Sequence, residues 1–227
     1  MLQRALKTLL IFSILAATDS AFAVELETTN QKYSYTMGVK IGQMLRGQVS
    51  GELDIEAFSA AVAESLNGQK PRLSPKEMQL VMQQNFKEQE AKRAKLAEQN
   101  EEKGKTFLAA NALKQGVTTL DNGMQYKVTK AGTGASPTAE QKVEVHYRGR
   151  LIDGTEFDSS YSRGKPAQFN LNGVIPGFRE AITRMKPGAQ WVVYVPADLA
   201  YGKKGAGNSI GPNETLIFEI EYLRAID

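Results

Sequence analysis

In the second half of the chain apolar and polar residues alternate. Val143, Val145 and Tyr147 stand against Glu144, His146 and Arg148, the period-two pattern of a strand with one buried face. Asp153-Gly154 then supplies a tight-turn signal ahead of Phe157-Asp158. The run Val174-Ile175-Pro176-Gly177-Phe178 is apolar but broken by a Pro-Gly pair. A short helical pattern follows it from Phe178 to Met185, stopped by Lys186-Pro187-Gly188. Further strands are predicted at Met124–Val128, after the turn Asn122-Gly123, at Trp191–Val195 and at Leu216–Leu223.

Ahead of this region the period changes to that of a helix. Tyr33, Met37, Ile41 and Met44/Leu45 recur at helical spacing between Thr28 and Leu45. Gly38 and Gly42 lie on one face of that helix, where each costs about 1 kcal/mol relative to alanine. Two readings stay open: another helix comes close there, or the helix is loosely packed or broken. Asp54 caps a second helix with Ile55, Phe58, Val62 and Leu66 on its apolar face, ended by Asn67-Gly68. Two short helices make a poor core by themselves. A second copy of the same segment is the simplest cover, and two-fold dimers are the commonest assembly.

Ser74-Pro75-Lys76-Glu77 is a strong helix start, with Ser74 as cap, Pro75 at the first helical position and Glu77 closing a capping box. Large apolar residues follow from Met78 to Phe86, but Lys87 to Lys105 carries only Leu96 amid lysine, glutamate and glutamine. Glu88/Lys92 and Glu101/Lys105 are favourable pairs four residues apart. A helix polar all round bridges solvent between two parts of a molecule. Unbroken from Ser74 to about Ala112, it spans on the order of 55–60 Å, with Gly104 as the expected weak point.

Composition removes several function classes. Net charge is +3 from 28 basic and 25 acidic residues, too balanced for a nucleic-acid partner. Cysteine is absent, which excludes disulfides, thiol catalysis and thiolate metal sites. The single histidine, His146, makes a poor metal site, and no cofactor is expected. Arg4 and Lys7, the apolar run Leu9–Ala17 and Ala21-Phe22-Ala23 read as a secretory signal over residues 1–23, placing the mature chain outside the cytoplasm from Val24. The apolar run is shorter than the roughly 20 residues that span a bilayer. No stable membrane insertion is expected, and no cysteine follows the cleavage site to carry a lipid anchor. Gly207-Asn208-Ser209-Ile210-Gly211 fits the nucleophile pattern G-x-S-x-G but lacks the flanking strand and helix it needs. Asn213-Glu214-Thr215 fits a glycosylation acceptor and reads here as turn chemistry.

The residues Val145, Tyr147, Gly149, Leu151, Asp153, Gly154, Phe157, Asp158, Ser159 and Ser160 meet the pattern V-x-Y-x-G-x-L-x-D-G-x-x-F-D-S-S. Val174-Ile175-Pro176-Gly177, Pro196 through Gly202 and Thr215-Leu216-Ile217-Phe218 follow in order. In these motifs the chain resembles the FKBP family of peptidyl-prolyl cis–trans isomerases. With its helical first half it is most similar to the macrophage infectivity potentiator (Mip) type, dimeric FKBPs of Gram-negative bacteria.

The resemblance implies an α+β fold. A helical dimerisation domain occupies residues 24–73 and a long, solvent-exposed connecting helix 74–113. A curled antiparallel sheet wrapped around a short helix fills 114–227, the isomerase domain. It implies proline-receiving walls at Tyr147, Phe157, Val174, Ile175, Phe178 and Phe218. Tyr201 would bond a ligand carbonyl, Asp158 would face the amide from the pocket edge, and Ile210 would stand on the overhanging loop. The implied partners are proline-containing unfolded or partly folded proteins, a second copy through the N-terminal helices, and macrolide inhibitors. The implied place is the periplasm, with outer-membrane or cell-surface association open, and the implied role is folding assistance by isomerisation together with chaperone action of the dimer. A client-binding chaperone or a surface virulence factor with a weak pocket are the alternatives. Two residues depart from the family: Phe178 replaces the usual floor tryptophan, the only tryptophan being Trp191, and Ala167 replaces a phenylalanine found in many single-domain relatives.

Overall fold

A computed structural model describes residues 25–46 and 53–226. The expected signal segment, 1–23, lies outside them. The first helix, α1 (Thr29–Arg46), forms a unit by itself and buries none of its residues. Among the described residues, a Cβ built on Gly38 or Gly42 meets nothing within 4 Å.

The second unit begins with α2 (Ile55–Leu66), where Asp54 accepts a hydrogen bond from the Ala57 amide at 2.9 Å. It ends at Asn67, followed by Gly68 at φ +69°. Helix α3 (Pro75–Ala112) starts with the expected reciprocal cap: the Glu77 amide donates to the Ser74 hydroxyl at 3.3 Å and the Ser74 amide to the Glu77 carboxylate at 2.8 Å. Lys105 pairs with Glu101 at 2.6 Å, while Glu88 accepts from Gln84.

From Pro75 to Gln99 no residue of α3 is buried, as a solvated helix requires. Its last third departs from that expectation, because Asn100, Gly104 and Asn111 are buried against the sheet domain. Gly104 is not a weak point. A Cβ there would stand 2.4 Å from the Thr215 hydroxyl, so the glycine lets the helix backbone close on the chain entering the last strand. Asn111 donates to the Gln125 side chain at 2.9 Å, Gln125 donates to the Leu108 carbonyl at 2.8 Å, and the rings of Phe107 and Tyr194 lie 5.9 Å apart.

The sheet is antiparallel throughout. Its strands are β1 (Val117–Thr119), β2 (Gln125–Lys130), β3 (Lys142–Leu151), β4 (Glu156–Ser159), β5 (Ala167–Asn170), β6 (Gln190–Val195) and β7 (Leu216–Ile226). They run in the order β1-β2-β6-β7-β3-β4, with β5 also paired to β3. One edge of β3 takes β7 along its whole length; the other takes β5 at Lys142–Val145 and β4 at Arg148–Arg150. Between those two partners Tyr147 has no strand beside it. Ser160 fills the gap: its hydroxyl accepts from the Tyr147 amide at 2.9 Å and its amide donates to the Tyr147 carbonyl at 3.0 Å.

Alternation then builds the core. Val143, Val145 and Tyr147 of β3, Trp191, Val193 and Val195 of β6, and Leu216, Phe218, Ile220 and Tyr222 of β7 are all buried. Helix α4 (Pro176–Arg184) lays Phe178, Ala181 and Ile182 on this cluster, and burial of a side chain such as Phe178 or Ile182 contributes about 1.5–3 kcal/mol. The helix begins two residues before the predicted Phe178, since Pro176 suits its first turn. Gly177 is required there, because a Cβ would meet Val195 at 2.4 Å. Among the described residues no helix is long and apolar enough to cross a membrane.

Candidate active site

A hollow of about 230 Å³ opens where β3, β4 and the start of α4 meet. Strand β3 contributes Tyr147 and β4 contributes Phe157 and Asp158, brought side by side by the hairpin over Asp153-Gly154. Val174 and Ile175, extended residues ahead of α4, form one wall, and Phe178 in the first turn of α4 forms the floor. Phe218 of β7 and Tyr201, immediately before the 3-10 turn Gly202–Lys204, complete it. Eight of the nine residues singled out in the sequence thus share one hollow. Ile210 does not line it; it is buried in the following loop, paired with Ala206. Phe169 of β5 does line it, a residue the sequence reading missed because β5 is too short to show a period.

The aromatic rings pack edge to face. Phe178 lies 5.9 Å from Tyr147, 5.7 Å from Phe169 and 5.4 Å from Phe218, at 77° or 78° in each case. Phe157 meets Phe218 at 5.7 Å and 84°. Such pairs add about 0.5–1.5 kcal/mol beyond burial and fix the ring orientations. Gly149 makes room for them, since a Cβ there would stand 2.5 Å from the Phe157 ring. Phe178, only 4 % exposed, fills the floor with its three ring neighbours. Trp191 stands outside the hollow, stacked on Tyr126 at 4.4 Å.

The polar part is confined to the rim. The Tyr147 hydroxyl donates to one oxygen of Asp158, and Arg163 donates to the other. Arg163 also donates to the Tyr147 hydroxyl at 3.0 Å, which closes a three-membered ring of polar groups. Burial disfavours the Asp158 anion, but the bonds from Tyr147 and Arg163 outweigh it and hold the carboxyl below its ordinary value. Burial, and then the bond to Asp158, push the Tyr147 phenol up to about 12. At neutral pH the rim is therefore a fixed carboxylate beside a neutral phenol. Arg163 lies in a turn with no periodic signal, so only its closeness in sequence to Asp158 could have marked it.

Among the described residues no group of three His, Cys, Asp or Glu side chains could hold a metal ion. His146 stacks on Tyr161 at 4.8 Å and contacts the Ser160 hydroxyl at 3.1 Å. Ser209 lies in a loop with no helix after it. Asn213 adopts φ +55° and is 7 % exposed, with its amide turned onto α3 as a turn residue.

Comparison with known proteins agrees with this geometry. The pattern of the "FKBP-type peptidyl-prolyl cis-trans isomerase" family matches residues 134–223, and that of the "domain amino terminal to FKBP-type peptidyl-prolyl isomerase" matches residues 30–128. The "Peptidyl-prolyl cis-trans isomerase Mip" of Coxiella burnetii is 44% identical over 226 residues, 98% of each chain. The chain belongs to the FKBP-type peptidyl-prolyl cis–trans isomerases. "Outer membrane protein MIP" of Legionella longbeachae is 41% identical over 96% of this chain and 94% of its own. The crystal structure of FkpA from Escherichia coli superposes with a TM-score of 0.62 at 35% identity, covering 88% of this chain and 98% of that one. Both halves of the chain, and not the sheet alone, thus have counterparts among FKBP isomerases.

Proposed function

We propose that this FKBP isomerase turns X-Pro bonds in the hollow between β3, β4 and α4, with Tyr147, Phe157, Val174, Ile175, Phe178 and Phe218 receiving the prolyl ring. Rotation about a peptide bond faces a barrier of about 18–20 kcal/mol because resonance stiffens the C–N bond. For X-Pro the two end states differ by only about 0.5–1 kcal/mol, so the reaction needs a lower barrier and no nucleophile. The observation that carries the reading is an apolar aromatic hollow with one oriented carboxylate at its rim.

The hollow strips water from the planar amide, whose carbonyl oxygen holds more charge than that of the twisted form. As the amide twists, nitrogen stops donating into the carbonyl, and the carbonyl carbon becomes electron-poor. Asp158, with both oxygens tied, then presents negative charge without reorganising. The Tyr201 hydroxyl holds the substrate carbonyl, and Phe169 and Arg163 belong to the same site through their contacts with Phe178 and Asp158. Preference for the twisted form over the planar one is what lowers the barrier.

In this reading the chain works outside the cytoplasm, in the periplasm, as a dimer through its N-terminal helices, and the dimer holds unfolded clients while the pockets act. Exposed apolar residues on α1, such as Tyr33 and Met44, and separately on the start of α3, such as Met82 and Phe86, support a covered or client-binding surface on each helix. Two tethered pockets would gain effective concentration at the second contact. The test is isomerisation of a short X-Pro peptide by the purified protein beside Tyr201→Phe and Asp158→Ala. Clear acceleration, reduced in both variants, is the expected result. A folded protein that binds the peptide without accelerating it would make the chain a client-binding chaperone instead.

A further inference from the structure

Beyond packing on the sheet, α3 from Arg93 onward also holds the loop that leaves the pocket rim at Tyr201 and returns to β7. This loop closes on itself. The Asn213 amide donates to the Gly202 carbonyl at 2.9 Å, and Ala206 and Ile210 exchange backbone bonds of 2.9 and 3.1 Å. It contains left-handed backbone at Gly205 (φ +60°), Gly207 (φ +54°) and Asn213 (φ +55°). Backbone of this kind in a non-glycine residue costs free energy and persists where its surroundings enforce it.

One face of α3 supplies that enforcement. Arg93 donates to the Lys204 carbonyl, and Asn100 donates to the Pro212 carbonyl at 2.9 Å. From the loop, the Asn213 side chain donates back to the Ala97 carbonyl at 3.3 Å and the Glu101 carboxylate at 3.4 Å. Gly104, one turn on, lets Thr215 close against the helix. These positions repeat at three and four residues, so they share one stripe of the helix. The stripe is polar, which is why hydrophobic periodicity does not reveal it.

We propose that α3 belongs to the architecture of the isomerase site, with Asn100 and Asn213 as positioning residues for Tyr201. The path is short and made of named bonds. Asn100 and the Ala97 carbonyl fix Pro212 and Asn213, the Asn213 amide fixes Gly202, and Gly202 is the chain neighbour of Tyr201. The isomerase unit then begins near Arg93, inside the helix, and not where the helix ends. This step rests on the pocket reading above through Tyr201 alone.

The test combines amide hydrogen exchange with peptide isomerisation on the purified full chain carrying Asn100→Ala, beside Arg93→Ala and Asn111→Ala. Asn111 is buried on the same helix but bonds Gln125 and not the loop, so its loss lowers stability alone. In Asn100→Ala, exchange at Ala206, Ile210 and Asn213 rises about tenfold, and kcat/KM falls about 3- to 10-fold, chiefly through KM, as loss of one positioning hydrogen bond implies. Amides of β3 and β7 keep their protection. Arg93→Ala shows the same pattern more weakly, and Asn111→Ala lowers Tm without changing loop exchange or KM. Unchanged loop exchange in Asn100→Ala, or an equal rise in Asn111→Ala, overturns the clamp. Faster exchange with an unchanged KM overturns the positioning of Tyr201. Asp158→Ala, run in parallel, reports separately on the pocket, since the exchange result does not depend on it.

Discussion

Strands β3 and β7 bury every second residue, from Val143 to Gly149 and from Leu216 to Tyr222. Helices α1 and α2 bury none, and the three buried residues of α3 are two asparagines and a glycine. Yet the apolar spacing is as regular in α1 and α2 as in the strands. The sheet finds the cover for its apolar face inside its own unit, in α4, whereas the helical faces at Tyr33, Ile55 and Leu66 stay exposed. Periodicity therefore tells which face needs covering and says nothing about which chain covers it. The hollow proposed for isomerisation belongs to the region whose cover is complete.

The largest expected effect lies in that region. Ile182→Ala, at a fully buried position of α4, should cost about 2–5 kcal/mol in denaturant unfolding. Leu66→Ala, at a position 83% exposed on α2, should cost within about 0.5 kcal/mol wherever its face is uncovered. Any larger loss there should grow with chain concentration, because a second copy would be the cover. A large loss independent of concentration would break the contrast between the two regions.

Next in size, if α1 forms the proposed dimer, Ile41→Asp should weaken that self-association on the order of 100-fold, read by sedimentation, while the unfolding midpoint of the sheet domain stays put. Gly104→Ala sharpens the contrast through its sign. As an ordinary helix glycine it would gain about 1 kcal/mol on becoming alanine. Because the new Cβ would press on buried Thr215, overpacking of about 1–3 kcal/mol should prevail and the variant should melt lower.

The smallest effect is with pH. The Asp158 carboxyl is depressed in the folded protein from an ordinary value of 3.8, with burial opposing and the bonds from Tyr147 and Arg163 prevailing. Its contribution to stability is therefore complete above 3.8 and is lost as pH falls through the lower folded value. Asp158→Asn should flatten part of the fall in Tm over that acid range and leave the slope near neutrality unchanged.

Much of this was legible in the residues. The β3 alternation, the Asp153-Gly154 turn, the Ser74 cap and the Pro-Gly entry to α4 all act locally, within a few bonds of their own positions, so the sequence carries them. The family pattern drew eight hollow-lining residues together although they come from five separate stretches of chain. What stayed hidden was long-range and polar. The docking of α3 depends on Asn100, Gly104 and Asn111, which carry no hydrophobic signal and look solvated in isolation. Phe169 sits on a four-residue strand, Arg163 in a turn, and Ile210 is turned into its own loop by pairing with Ala206.

The most direct test of the contrast is the per-chain rate of isomerisation of a short X-Pro peptide, compared between the intact protein, Ile41→Asp and Asp158→Ala. If the hollow is complete within one chain, Ile41→Asp keeps the full rate as its mass falls, while Asp158→Ala loses about tenfold or more, as removal of a charge placed for the transition state implies. A loss of peptide activity in Ile41→Asp with Asp158→Ala unaffected would contradict the account, since the chemistry would then depend on the helical region and not on the hollow.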